Sequence, residues 1–461
     1  MEPSNPPVIV TPEKRRLFLF LKIVGIVVLI GLLHIPLAMT RGVLGERLAY
    51  QRQATSEIAE LWGKAQAVTG PVLAVPYVYR AKVVRTKLVD GKAVQVDETD
   101  AFGATAYFLP EVLEAGGKVE PELRHRGIYD TVVFTANLRL EGEFRPDFAA
   151  AGIVAERIEW DKARVLVGVS DLRGMRSVSP VAVGGREATF ESTGGFEGEL
   201  LPLAAAVAVA PKDGRLAFAL EMVVQGSERL EIVPLGKTTR VTLESPWPDP
   251  SFIGAALPVA RRVGADGFKA EWTSTHFSRG FGQNWTTRSL ANDAVRKLFA
   301  PSAFGVRFAQ PVDGYSMAER AQKYGVLFFV LVFAVFFVFE MGGGRAIHPL
   351  QYAVVGAALC LFFLGFLALS EFLAVGAAYG AAAALCTALI SLYAWSFLRS
   401  GARTLLVTAG LGGTYGYLYF VLKSQDYALL AGTAALFAGL AAVMFMTRRI
   451  EWLAEGEKAA A

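Results

Sequence analysis

The distribution of charge constrains this chain more than any other feature. Residues 324–446 are almost free of charge, whereas residues 41–323 are charged and punctuated by glycine and proline. One uniform core does not segregate in this way; a membrane bundle joined to a water-facing domain does. The charged share of the whole chain, 19%, accordingly lies below the ~25% of soluble domains. The net charge is +4, and no basic block is longer than Lys14-Arg15-Arg16, so nothing points to a nucleic-acid partner.

Hydropathy predicts six transmembrane helices. After a cytoplasmic tail over residues 1–16, the first runs over 17–39, long enough for a hydrocarbon core that needs ~20 apolar residues. It has no A-x-A site after Pro36-Leu37-Ala38-Met39, which favours an uncleaved anchor over a signal peptide. Lys22 sits near its inner end, where an ammonium can snorkel to the headgroups. The others are expected at 324–340, 352–369, 372–397, 405–422 and 427–446, followed by a cytoplasmic tail over 447–461. Ser316-Met317-Ala318-Glu319 reads as a capping box that starts the second span outside the bilayer. From Met317 to Glu340 that helix would measure about 36 Å at ~1.5 Å per residue.

Short-loop charge sets the orientation. With both termini cytoplasmic, Arg345, Arg399, Arg403, Arg448 and Arg449 all fall inside, and Glu371, Lys423 and Asp426 fall outside. Arg41, Arg47, Arg320 and Lys323 run against this bias. They flank a long translocated segment, where the rule weakens.

Residues 40–323 then form one large extracytoplasmic domain between helices 1 and 2. It opens with an amphipathic helix over 43–67 that ends at Gly70-Pro71. Next comes a strand at Val72–Tyr77, which Pro76 marks as an edge or a bulge. Val132, Phe134, Ala136, Leu138 and Leu140 alternate with polar residues. So do Val165, Val167 and Val169; Leu216 to Val224; and Phe268, Ala270 and Trp272. Period-2 segments parted by turn residues predict a mainly antiparallel β domain with one buried face. One sandwich and two fused lobes both fit its size, which exceeds the ~100–200 residues of a typical domain.

Catalytic signatures are missing. The four histidines are His34, His125, His276 and His348, and no H-E-x-x-H, C-x-x-C or G-x-S-x-G occurs. Both cysteines, Cys360 and Cys386, lie in apolar spans, so the β domain holds neither a disulfide nor a thiolate metal site. No catalytic residue, cofactor or metal is expected. Gly376/Gly380 and Gly412/Gly416 are G-x-x-x-G pairs, read as helix packing.

The candidate functional residues stand at the membrane edges: Glu340, Arg345, His348 and Gln351 on the cytoplasmic side, Glu371 and Asp426 on the other. Ionisable groups deep in hydrocarbon are usually functional. At span ends, caps and interfacial ion pairs, such as Glu340 with Arg345, compete with a transport role.

Several ordered motifs resemble the CreD family of bacterial inner-membrane proteins. They include Gly70 to Tyr77, Pro234-Leu235-Gly236-Lys237-Thr238-Thr239, and Pro311-Val312-Asp313-Gly314-Tyr315 with Glu319-Arg320-Ala321. They continue through Phe339-Glu340, Ile347 to Tyr352, Ser370-Glu371, Asp426 to Leu430 and Thr447-Arg448-Arg449. The tri-glycine turn before Arg345 departs from the pattern. The resemblance implies a multi-pass inner-membrane protein that supports cell-envelope integrity under stress; it brings no biochemical activity with it, and the missing catalytic motifs favour a non-enzymatic reading. Its expected partners are the lipid bilayer and either envelope components or other inner-membrane proteins. The alternatives are a carrier or flippase for an amphiphilic envelope molecule, and a sensor that passes strain along the Ser316 helix.

Overall fold

The structure, a computed structural model, describes residues 12–89, 92–193, 201–211, 213–289, 292–308, 314–343, 347–423 and 428–447. It divides into two compact units, one of residues 52–311 and one of residues 1–51 with 312–461. Helix α1, Pro12–Trp62, is continuous over 51 residues and runs through Pro36.

Residues 52–311 form two sheets, of ten and nine strands among the described residues. The principal strands are β1 (Gln66–Val89), β2 (Lys92–Phe108), β3 (Pro110–Arg126), β4 (Tyr129–Phe144), β5 (Arg164–Val169), β6 (Leu216–Ser227), β7 (Arg229–Ile232), β8 (Thr238–Ser245), β9 (Gly267–Thr275) and β10 (Phe304–Phe308). The first sheet is built on β1, which pairs antiparallel with β2 and β5 and parallel with β7; β10 then pairs with β7. The second carries β9, β8, β3, β4 and β6 in that order. Its β8–β3 pair is parallel, so the expected antiparallel pattern holds with two parallel exceptions.

The alternating residues face one shared core. Phe134, Leu140, Phe218, Val224, Ala270 and Trp272 are buried, and one contiguous cluster draws on both sheets. Aromatic rings join the sheets: Trp272 of β9 stacks on Phe304 of β10 at 5.9 Å, and Phe134 of β4 meets Phe308 of β10 at 5.3 Å. A single core thus serves the whole unit, in place of two lobes. Short helix α2 (Asn292–Phe299) adds Val295 and Phe299 to it.

Two local expectations fail here for tertiary reasons. The amphipathic helix ends at Trp62, not near residue 67, because Gln66 already belongs to β1. The Gln66 side chain is buried and bonds the backbone of Asp171 in both directions (3.0 and 3.2 Å) and the Gln225 carbonyl (3.0 Å). Pro76 lies in a strand flanked on both sides, at the point where β5 pairing has ended; the bulge falls earlier, between Thr69 and Val72.

The other unit is helical. Beside residues 20–51 of α1 it holds α3 (Gly314–Lys323), α4 (Gly325–Gly343), α5 (Pro349–Ser370), α6 (Val375–Leu398), α7 (Gly401–Lys423) and α8 (Ala428–Thr447). Among the described residues, four helices are long and apolar enough to cross a membrane, or five if α3 with Gly325–Phe337 is one span bent by 56°. Helix α8 occupies the stretch expected for the sixth span.

The straight helix expected from Met317 to Glu340 is therefore broken at Tyr324. Ser316 lies inside α3 (Gly314–Lys323), so it is not the residue that precedes the helix, as a capping box would have it. Arg41 donates to the Gln322 carbonyl at the end of α3 (3.0 Å), and Arg320 donates to the Leu422 carbonyl at the end of α7 (3.3 Å). The last carbonyls of a helix lack intrahelical partners and carry its negative dipole end, so guanidinium groups are favoured there. Two of the arginines that run against the loop-charge bias thus have a structural task.

Of the expected pairs only Gly376 is in close contact, where a Cβ would meet Tyr419 OH at 3.0 Å, and the tightest approaches use other glycines. A Cβ on Gly356 would meet Leu33 at 2.3 Å, and one on Gly325 would meet Leu37 at 2.8 Å, so both admit α1. Gly380, Gly412 and Gly416 have open space where a Cβ would stand. An aromatic cluster of Phe328, Phe362, Phe366, Tyr379 and Tyr415 fills the interior, with centroids 4.6–6.3 Å apart. Both cysteines are buried, and Cys386 donates to the Ala358 carbonyl at 3.2 Å.

Candidate membrane-edge sites

Helix α5 organises both sites, one at each end. Its start is a capping box: the Leu350 amide donates to His348 Nδ1 (3.2 Å), and the His348 amide donates to Gln351 Oε1 (2.9 Å). Pro349 at the first helical position has no N–H to satisfy, which suits that place. His348 and Gln351 are thereby engaged in starting a helix.

Just before this cap, the Ile347 carbonyl accepts from Lys22 Nζ at 2.7 Å. The same ammonium donates to Glu340 Oε1, and Tyr352 OH donates to Glu340 Oε2 at 3.2 Å. Lys22 Nζ also stands 5.6 Å from the Tyr352 ring centroid. The side chains of Lys22 and Glu340 are only 5% and 11% exposed.

Lys22 is thus buried against a carboxylate, where the sequence expects it to snorkel. Burial keeps water from both ions, so each satisfies the other, with a backbone carbonyl and a phenol completing the set. Arg345, the partner expected for Glu340, lies outside the described residues.

At the far end Glu371 caps α5. Its carboxylate accepts from Tyr315 OH (3.1 Å) and pairs with Arg47 Nε (3.4 Å). Gly314 lets the start of α3 approach Ser370, which a Cβ would meet at 3.0 Å. Asp426 lies outside the described residues. Further along α3, the Gln322 amide is buried, and neither of its polar atoms has a partner among the described residues.

The two carboxylates do not share a site. The 22 residues of α5 separate them by roughly 30 Å at ~1.5 Å per residue. What the arrangement can do is hold helices: the first cluster ties α1 to α4 and α5, and the second ties α1 to α3 and α5. Sequence reasoning missed Lys22, Arg47, Tyr315 and Tyr352 as members. An early lysine inside an apolar span was the one available signal for Lys22.

The β unit offers less chemistry. His125 is exposed and bonds Asp130 across the β3–β4 hairpin at 2.5 Å, and His276 lies against exposed Phe277. Among the described residues, no group of three or more His, Cys, Asp or Glu could hold a metal ion. Arg279 is buried and donates to the Leu235 carbonyl (2.8 Å) and to Gln283, whose Nε2 donates to the Pro110 carbonyl (2.5 Å). Burial pushes its pKa down to about 10, so it stays charged at neutral pH as a structural clamp.

Comparison with known proteins bears on all of this. A family profile described as "Inner membrane protein CreD" matches residues 18–453. The Inner membrane protein CreD of Escherichia coli (strain K12) is 32% identical over 443 residues, which cover 95% of this chain and 94% of that one. Among solved structures, native yeast LTA4 hydrolase aligns with 36% of this chain and 26% of its own at 8% identity, with a TM-score of 0.19. That likeness is too slight to bear on fold or activity.

Proposed function

Because the chain belongs to the CreD family of inner membrane proteins, we propose that it is a non-enzymatic, multi-pass protein that supports cell-envelope integrity under stress. In this reading both termini are cytoplasmic, the spans are the six the sequence predicts, and the β unit faces the periplasm. There it contacts envelope components or other inner-membrane proteins.

One observation supports the non-transporting part: Lys22 and Glu340 are buried against each other, with Ile347 and Tyr352 completing their bonding. A carrier needs polar groups that a substrate or coupling ion can engage near the midplane. These groups are engaged with one another, at one end of α5. The engagement of Glu371 with Arg47 and Tyr315 supports the same reading at the other end.

The test is survival of envelope stress by cells carrying Glu340→Gln, His348→Ala, Glu371→Gln, or a deletion of residues 72–310. On this proposal each point variant protects in proportion to its folded amount in the membrane, and the deletion protects not at all. A point variant that is present and folded at wild-type level yet fails to protect would move the function into the membrane-edge sites.

A further inference from the structure

The β1–β2 hairpin continues well past the sheet it belongs to. The two strands stay in register from Leu73 opposite Phe108 to Val89 opposite Lys92. On the β1 side, the last flanking strand contact is at Tyr77 and Val78, with Ile158 and Arg157. On the β2 side it is at Ala106, with Thr286. Beyond these points, among the described residues, each strand pairs only with the other. The stretch from Lys82 to Val89 alone is about 27 Å long at ~3.4 Å per residue. It is a two-stranded ribbon with two open edges.

Two physical facts make such a ribbon notable. An isolated pair of strands is marginal in water, since three or more are needed to hold one another. Open edges also present unpaired N–H and C=O groups, which invite a further strand. Proteins often blunt edges with charge, and this ribbon is charged. Its signs, however, are sorted by strand. Within the ribbon β1 bears Arg80, Lys82, Arg85 and Lys87 and no acid. β2 opens at the tip with Lys92 and then bears Asp97, Glu98 and Asp100, with no base from Ala93 to Ala101. Arg85 pairs across the ribbon with Asp100 (2.5 Å) and Glu98 (3.6 Å).

Sorted charge blocks like-with-like addition. Two β1 edges would set cations against cations, and two β2 edges would set acids against acids. A β1 edge against another copy's β2 edge sets cations against acids, in the pairing these two sequences already make within one chain. We infer that the ribbon is a self-association arm: the basic edge of β1 in one copy takes the acidic edge of β2 from a second copy. The contact is head-to-tail, so each arm keeps one edge free for a further copy. The arm joins copies of the protein whatever the β unit contacts in the envelope.

The experiment uses the full chain in membranes, with Thr86→Cys as the reporter; the native Cys360 and Cys386 are buried. In the inferred pairing, reporters on neighbouring copies stand about 10 Å apart, two strand spacings of ~4.8 Å. A bis-maleimide of that span should give a ladder of dimers and higher species. Reversing one strand (Lys82→Glu with Arg85→Glu, or Asp97→Lys with Glu98→Lys) should lower the cross-linked fraction at least fivefold. Reversing both strands in one chain restores complementarity within and between copies, and should return the ladder. An unchanged ladder in the single-strand reversals would overturn the inference. So would a fully reversed arm that fails to cross-link, or capture of a different protein in place of a second copy.

Discussion

Lys22 and Glu340 lie 318 residues apart in the chain and form a buried ion pair. The pair fixes the N-terminal helix to the α4–α5 hairpin. Breaking it from either side strands a charge in an apolar setting, which typically costs about 3–5 kcal/mol. Lys22→Met and Glu340→Gln should therefore each lower the unfolding midpoint of the detergent-solubilised protein. Unchanged midpoints would show that water reaches the pair.

Helix approach should depend on Gly356 and not on the Gly412/Gly416 pair. Gly356→Leu drives new atoms into Leu33 and Phe333, and overpacking of this kind costs about 1–3 kcal/mol. Adding Leu33→Ala should recover part of the loss. Gly412→Ala and Gly416→Ala meet open space and should leave the thermal midpoint where it is. The reverse ranking would mean that the tight seam lies along α7.

Between the sheets, Trp272 is the ring to remove. It stacks on Phe304 and meets Phe252 edge-on at 5.7 Å, and its indole N–H is buried without a protein partner. Trp272→Ala should destabilise the β unit by about 3–5 kcal/mol, read from protection against proteolysis. Trp272→Phe keeps a ring and removes the unpaired donor, so it should cost clearly less. Equal losses would mean that the donor is satisfied and matters.

Acid should loosen the junction between α1 and β1 through Asp171. Burial alone would raise its pKa. A side-chain bond from Arg173 and the backbone amides of Lys64 and Arg173 outweigh it, so the carboxyl titrates below its ordinary 3.8. A pKa lower in the folded state stabilises above the unfolded value, and that stability is lost as pH falls through the folded one. Hydrogen exchange over residues 62–68 should accelerate as pH drops below 3.8, beyond the intrinsic pH effect. In Asp171→Asn that extra acceleration should vanish and exchange at neutral pH should be faster. An identical pH profile in both proteins would refute the linkage.

These features differ in how legible they were. The alternation in β4, β6 and β9 announced which residues face the core, because a strand face is a local pattern. Parallel pairing of β1 with β7 was not visible, since it depends on chain return over more than 160 positions. The His348–Gln351 cap was within reach: Pro349 at the first helical position and a glutamine at cap spacing mark a helix start. Ser316–Glu319 offered a strong local signal for a helix in this stretch, and Ser316 lies within α3. Lys22 could be marked as an oddity in an apolar run, but its partner could not, because ion pairing between distant helices leaves no trace in local sequence. The sorted charge of the β1–β2 ribbon was readable only once the pairing put those residues side by side.

The central claim is that the buried charges hold the bundle and do not carry the activity. Replacing both members by apolar residues, Lys22→Met with Glu340→Leu, leaves no uncompensated ion, and such exchanges are often neutral or stabilising. The decisive measurement is survival of envelope stress by cells carrying this double variant, with its membrane abundance and thermal midpoint measured alongside. If the charges only hold the bundle, the double variant folds and protects at near-wild-type level, while each single variant is depleted. A double variant that folds and accumulates normally but gives no protection would contradict this, and would make Lys22 and Glu340 the working site.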